Sequence, residues 1–154
     1  MRIAIVIVGK TGPAWMTDAV NEYAQRISHF ADIEFRLVPA AGNLPSSVAL
    51  EKEGQGILSK LNPKEKVLLL DEHGKEFTSV QLAEFLDKLA IGGTSSLVFV
   101  TGGAYGVSNQ VRERADHVIS FSKFTFTHQM IRLLLVEQVY RAMTISKGRP
   151  YHNE

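Results

Sequence analysis

The chain is organised around one stretch of sequence, Phe121-Ser122-Lys123-Phe124-Thr125-Phe126-Thr127-His128-Gln129-Met130. Aromatic residues alternate with small polar residues at positions 121–126, which predicts a strand, and a very hydrophobic helix is predicted to follow at 127–146. Where a strand ends and a helix begins, unpaired backbone donors and acceptors face one small volume that suits a polar, planar ligand. The pattern fits a purely structural corner equally well, so both interpretations stay open.

Apolar segments before this corner predict four more strands, at 3–8, 33–38, 67–71 and 97–100, and the fifth strand begins at 117–120. Helices alternate with them, at about 13–30, 47–61, 79–89 and 108–114. This alternation, without repeats or linkers, predicts a single α/β domain over residues 1–154 with a mostly parallel sheet. Ligands bind such sheets beyond the carboxyl ends of the strands, so the loops after Leu70, Val100 and Ser120 are expected to share one site.

Two helices carry further predictions. The first helix repeats an apolar residue every four positions, at Trp15, Ala19, Tyr23 and Ile27, which predicts its buried stripe. The last helix is apolar nearly all round. That pattern predicts burial on several sides and therefore a subunit interface.

Composition excludes several classes of protein. Hydrophobic residues make up 45% and charged residues 21%, the usual balance of a globular domain. A net charge of +1 excludes nucleic-acid binding by bulk positive charge but allows a local basic patch. With no cysteine and no histidine pattern at metal-ligand spacing, neither disulfides nor a metal site is expected, and Asp71-Glu72-His73 is interpreted as a solvated turn. The N-terminus briefly resembles a signal peptide, but its apolar run is short and β-branched and lacks a cleavage-like site, so a buried strand is predicted there. No run approaches the length of a membrane span, so a soluble, cytoplasmic protein is expected.

Two motifs resemble nucleotide-binding loops but each lacks a required feature. Gly9-Lys10-Thr11 follows the first strand, yet a phosphate loop needs a glycine where this chain has Ala4. The segment Thr101-Gly102-Gly103-Ala104-Tyr105-Gly106 lacks the glycine order of a dinucleotide site and falls late in the chain. Its three glycines predict either a tight turn or the close approach of a ligand.

Several segments taken in order carry a family resemblance: 101–106, 121–132, 137–142 and Tyr151-His152, together with Trp15, Glu22, Tyr23, Arg26 and Lys52-Glu53-Gly54. With these segments the whole chain resembles the RlmH family, bacterial methyltransferases of the SPOUT class that act on pseudouridine in large-subunit rRNA. Two positions depart from the family pattern. Thr127 stands where proline is usual, which is expected to loosen the corner, and Asn153 stands where a basic residue often contacts RNA.

The resemblance implies a trefoil-knotted α/β domain, a homodimer and S-adenosylmethionine as cofactor. It implies cofactor contacts from Leu70, Gly102 and Phe121, Ser122, Lys123, Phe124, Thr125 and Phe126. The implied reaction is methylation of N3 of the pseudouridine at about position 1915, in helix 69 of 23S rRNA on the assembled ribosome, where shape and stacking guide recognition.

A methyl group can join N3 only if the N3 proton leaves, so a general base or water must accept it. His128 and His152 are the candidates, because imidazole titrates near neutral pH. Arg132 is expected to hold a phosphate or to favour the anionic base, and Tyr151 to stack on a nucleobase. No sequence argument chooses the proton acceptor.

Two other functions stay open on the sequence. One is a P-loop-like nucleotide hydrolase, which Ala4 disfavours. The other is a non-catalytic RNA-binding or ribosome-assembly factor on the same scaffold. Binding of S-adenosylmethionine separates this factor from a methyltransferase.

Overall fold

The computed structural model describes residues 1–153, which contain five strands and five helices. The strands β1 to β5 are Arg2–Val8, Ile33–Val38, Lys66–Glu76, Ser96–Val100 and His117–Ser120. The helices α1 to α5 are Ala14–Ser28, Ser46–Ser59, Ser79–Ile91, Asn109–Arg114 and His128–Ser146. The predicted α/β class and its alternation of strand and helix are confirmed. No helix within residues 1–153 is long and apolar enough to cross a membrane.

All five strands lie parallel in one sheet, in the order β2-β1-β4-β3-β5. Helices α1, α3 and α5 bury one face of the sheet, and α2 and α4 bury the other. Because both faces are covered, the central strands are continuous apolar runs rather than alternating ones. Because all five strands are parallel, their carboxyl ends lie at the same edge of the sheet.

The predicted strand over 121–126 is wrong, because β5 ends at Ser120 and residues 121–127 form a loop. None of residues 121–127 is buried, and Phe124 is 79% exposed, so the alternation of aromatic and polar residues does not mark a buried face. Thr127 closes this loop as the N-cap of α5, where its hydroxyl oxygen accepts a hydrogen bond from the Met130 N–H at 3.1 Å. Such a cap stabilises a helix by about 1 kcal/mol. Thr127 therefore fixes the corner that it was expected to loosen.

The predicted buried stripe of α1 is also shifted. The buried side chains are Met16, Val20 and Ile27, whereas Trp15 is 62% exposed. A spacing of four residues drifts by about 40° per step around a helix with 3.6 residues per turn, so the predicted stripe winds off the buried face. Trp15 is left at the surface.

Strand β3 runs beyond its predicted end and contains an irregularity. Leu70 pairs with Ile119, residues 71–74 loop out, and Lys75 then pairs with Ile119 again. Gly74 lies directly on β5, since a Cβ there would come within 2.7 Å of the Ile119 backbone. The excursion carries residues 71–73 to the carboxyl edge of the sheet.

Arg36 joins the edge strand β2 to the segment before β3. Its guanidinium donates to both carboxylate oxygens of Glu65, at 2.7 and 2.9 Å, and to exposed Glu34 at 2.7 Å. The bonds from Arg36 and from the Asn62 N–H outweigh partial burial and hold the pKa of Glu65 below its usual value. Glu65 therefore stabilises the fold at neutral pH, and this contribution is lost as the pH falls through its folded-state pKa.

We expect Glu65→Gln to lower the free energy of unfolding at pH 7 by about 1–3 kcal/mol, because a buried charged hydrogen bond is lost. The difference from the native protein should shrink at acid pH, as the pH falls through the lowered folded-state pKa of Glu65. Urea unfolding at pH 7 and at acid pH measures this. Glu34→Gln is the matched control and should cost no more than about 0.5 kcal/mol. Equal losses of unfolding free energy in Glu65→Gln and Glu34→Gln would contradict the stabilising role of Glu65.

Candidate functional site

A cavity of about 750 Å³ opens at the carboxyl edge of the sheet. It is walled by residues 70–73, 101, 103–107, 120–122 and 124–128, together with Arg112 and Ile131. The excursion within β3 that follows Leu70 and the loops after β4 and β5 thus line one cavity with the first turn of α5. Its volume suits a ligand of nucleoside-cofactor size.

The glycine loop, residues 101–106, forms the wall after β4. Two hydrogen bonds close it, from the Gly103 N–H to the Gly106 carbonyl at 3.3 Å and from the Gly106 N–H back to Gly103 at 3.1 Å. Gly102 has a φ of +67°, and a Cβ there would lie 2.9 Å from the Gly106 carbonyl oxygen. The glycines are therefore required by a tight turn, and the same turn leaves backbone and small side chains facing the cavity.

The loop between β5 and α5 forms the opposite wall. The Ser120 hydroxyl donates to the Ser122 carbonyl at 2.8 Å, and the Ser122 hydroxyl accepts from the Phe124 N–H at 3.0 Å. The Thr125 hydroxyl donates to Glu72 at 2.9 Å, which ties this loop to the excursion in β3. These hydrogen bonds hold the backbone of the loop in one conformation, although the loop has no regular secondary structure.

Asp71 links the excursion to α4. It accepts hydrogen bonds from Arg112 at 2.8 Å and from the His73 N–H at 2.9 Å. Partial burial acts to raise the pKa of Asp71, but these bonds outweigh it and lower the pKa, so the carboxylate stays ionised. Residues 71–73 line the cavity, as the rule for strand ends predicts for the segment after Leu70, so they are more than the solvated turn that their composition suggested.

His128, the first residue of α5, lies half-buried in the cavity wall. Burial lowers the pKa of His128, the positive charge of Arg132 lowers it further, and the negative charge of Glu53 acts in the opposite direction. The net effect is a pKa below the usual value near 6.5. The imidazole is therefore neutral at pH 7 and able to accept a proton.

Arg132 is fully buried one turn further along α5. It donates to the Thr11 hydroxyl at 3.0 Å and to the Val8 carbonyl at the end of β1. Its Nε atom has no hydrogen-bond partner among residues 1–153. The guanidinium is enclosed, anchors α5 to β1 and is not among the residues that line the cavity, so a contact with phosphate or with the anionic base stays a prediction.

Tyr151 and His152 lie elsewhere, against the second half of α5. The Tyr151 hydroxyl donates to Glu137 at 3.0 Å and lies 3.0 Å from the Tyr23 hydroxyl. Arg141 covers the Tyr151 ring at 4.7 Å and lies 3.2 Å from Nδ1 of His152. Burial and these hydrogen bonds raise the pKa of Tyr151, so its hydroxyl stays protonated and acts as a donor.

The chain does not bring all the predicted site residues together. Leu70, Phe121, Ser122 and Phe124–Phe126 line the cavity with His128, and Gly102 and Lys123 lie in the same loops outside its wall. Glu137, which holds Tyr151, follows His128 by nine residues of helix, or about 13 Å along the axis. Tyr151 and His152 are therefore separated from the cavity.

Comparison with known proteins gives one consistent family. A family model described as "Predicted SPOUT methyltransferase" matches residues 1–152. Proteins named ribosomal RNA large subunit methyltransferase H are similar over the whole chain. The one from Parabacteroides distasonis is 45% identical, covering 100% of both chains. The one from Desulfitobacterium hafniense (strain DSM 10664 / DCB-2) is 44% identical, covering 99% of each. A crystal structure of a probable methyltransferase from Bordetella pertussis Tohama I shares the fold, with a TM-score of 0.58 at 13% identity over 92% of this chain and 94% of that one.

Proposed function

The chain belongs to the SPOUT methyltransferase family, among the large subunit methyltransferase H proteins, and we propose that it methylates large-subunit ribosomal RNA with S-adenosylmethionine. The single observation that carries this proposal is the cavity of about 750 Å³ at the carboxyl edge of the sheet, walled by the excursion within β3 and the loops after β4 and β5. We extend the proposal to N3 of a pseudouridine in helix 69, on the assembled ribosome. The family also implies a trefoil knot in the C-terminal third of the chain.

The residues present suit the cofactor. The glycine loop forms a cradle without side chains at Gly102 and Gly103, where a Cβ would collide with neighbouring atoms. Leu70, Phe121 and Ile131 supply apolar surface of the kind that an adenine ring packs against. We assign cofactor binding to Leu70, Gly102 and residues 121–126. When bound, S-adenosylmethionine supplies a methyl group already activated by the positive sulfur.

His128 is the proton acceptor that the geometry favours. It lies in the cavity wall and is neutral at pH 7, whereas His152, the other candidate, lies beside Arg141, which is in the second half of α5. His128 takes the proton from N3 of the base as the new N–C bond forms, and then releases it to water. Most of the remaining acceleration comes from holding N3 and the methyl group in line.

The position of the tail favours a homodimer. Tyr151 and His152 are separated from their own cavity, yet they are the residues expected to handle the substrate. Large apolar side chains stay exposed near the cavity mouth and the start of α1: Trp15 at 62%, Phe124 at 79% and Met130 at 36%. Such a cluster fits an interface with a second copy. We propose that the tail of one protomer, of which residues 148–153 are described, completes the cavity of its partner.

Mixing two impaired variants, at a cofactor concentration too low to saturate Gly102→Ala, tests this arrangement. One variant carries Gly102→Ala, which damages the cavity, and the other carries Tyr151→Ala with His152→Ala, which damages the tail. Random exchange of protomers should restore about a quarter of the native sites, because half of the dimers then hold one intact cavity with one intact tail. Methyl transfer to ribosomes measures the recovery.

The matched control mixes Gly102→Ala with His128→Gln. Both changes lie at the cavity, so no mixed dimer has an intact site and no activity should return. If the first mixture is as inactive as the control, the tail does not act on the cavity of the partner.

Calorimetry with S-adenosylmethionine tests the proposed function against a non-catalytic RNA-binding or assembly factor. We expect heat of binding with one site per chain. A protein that binds ribosomes but gives no heat with the cofactor would be the assembly factor instead.

A further inference from the structure

Glu53 is a buried acid that the proposed reaction does not yet use. It lies on α2 with 7% of its surface exposed, and one oxygen, Oε2, accepts a hydrogen bond from the Ala41 N–H at 3.0 Å. The other oxygen, Oε1, has no hydrogen-bond partner among residues 1–153. No cation within that range forms an ion pair with it. A buried, half-satisfied carboxylate costs free energy, so its presence calls for an explanation.

The unpaired oxygen points at the glycine loop. A Cβ on Gly103 would lie 2.6 Å from Oε1 of Glu53 and 3.2 Å from Cγ1 of Val8. Only glycine therefore allows the loop to rest on the carboxylate. The inner face of Gly103 touches Glu53, while Gly103 also walls the cavity.

The same carboxylate acts on His128. The charged groups that influence this imidazole are Arg132, on its own helix, and Glu53, on α2 across the sheet edge. They act with opposite signs, and each has one buried polar atom without a partner among the described residues. His128 is thus influenced by the buried carboxylate of Glu53 and the buried guanidinium of Arg132. Among residues 1–153, no hydrogen bond or ion pair joins these two groups.

We propose that Glu53 is a positioning residue for methyl transfer, which supports the glycine loop from beneath and balances the positive charge that forms on His128. This inference rests on the proposed function of the same cavity. In the reaction the N3–C bond forms, the C–S bond breaks, and the N3 proton moves to the imidazole. Arg132 repels the resulting imidazolium, and Glu53 attracts it. Without Glu53, the repulsion between Arg132 and the imidazolium would lose the opposing charge that acts on His128.

Glu53→Gln keeps the shape and removes the charge. Its matched control is Glu51→Gln, the same change at an exposed position two residues earlier on α2. We expect Glu53→Gln to shift the NMR titration of His128 to lower pH and to reduce kcat by at least about tenfold, with a smaller change in cofactor affinity. Glu51→Gln should change neither quantity. Glu53→Asp, which keeps the charge, should recover part of both.

The outcomes separate the two proposals. An unchanged His128 titration in folded Glu53→Gln, or a shifted titration with native kcat, overturns the role of Glu53. If Glu53→Gln does not fold, Glu53→Asp is tested instead, with Glu51→Gln as its control. A native His128 titration together with a native kcat in Glu53→Asp would then overturn the role of Glu53. The titration of His128 needs no methyl transfer, so it reports on Glu53 even if the native protein does not bind S-adenosylmethionine. A lack of cofactor binding would refute the proposed function but not the influence of Glu53 on His128.

Discussion

Gly102→Ala is expected to weaken the binding of S-adenosylmethionine by at least about tenfold while the protein stays folded. A residue with a side chain pays about 1–2 kcal/mol to adopt the left-handed conformation that Gly102 has, at a φ of +67°. The new methyl group would also lie 2.9 Å from both the Gly106 carbonyl oxygen and Cγ1 of Val107. The loop must move to relieve this contact, and the wall of the cavity moves with it.

Gly42→Ala is the matched control for this variant. Gly42 has a similar φ of +70°, but a Cβ there meets nothing within 4 Å and the residue lies outside the cavity wall. It should lose a similar amount of stability and keep native cofactor affinity. Thermal unfolding and calorimetry measure the two effects. Native affinity in Gly102→Ala would show that the glycine loop does not hold the cofactor.

His128→Gln is expected to lower kcat by about 100-fold or more, the usual contribution of a positioned general base. The affinity for S-adenosylmethionine should change little, because glutamine keeps a polar side chain of similar size. The control is His29→Gln at the exposed end of α1, which should be neutral. Single-turnover methyl transfer to ribosomes separates the chemical step from product release. Native kcat in His128→Gln would leave His152 of the partner tail, or water, as the acceptor.

The pH dependence follows from the same residue. Burial, aided by Arg132 and partly opposed by Glu53, holds the pKa of His128 below its usual value near 6.5. The neutral form accepts the proton, so the rate should be flat at neutral pH. It should fall only as the pH drops through this lowered pKa. The His128→Gln variant should lack that acid limb.

Much of the fold can be predicted because its signals are local. Buried parallel strands need continuous apolar runs, and Ile3–Val8 is one of them. Thr78 and Gln81 have the spacing of a capping box, and both hydrogen bonds of that box are present at the start of α3. The rule that ligands bind beyond strand ends then selects the three loops that wall the cavity.

The remaining features depend on contacts between distant residues. The excursion at 71–74 exists because Gly74 packs on the backbone of β5, which no local pattern records. Arg132 looks like a surface cation in the sequence, and its burial follows from the acceptors that the end of β1 offers. The separation of Tyr151 from His128 depends on how the chain turns after α5. Their roles therefore stay proposals.

The most direct test of the central claim is mass spectrometry of large-subunit rRNA from a strain that lacks this protein. We predict that one pseudouridine-containing fragment loses one methyl group, about 14 mass units. The native gene should restore the methyl group, and the Gly102→Ala variant should restore it less than Gly42→Ala does, since cofactor binding depends on the shape of the glycine loop. An unchanged methylation pattern in the deletion strain would contradict the account.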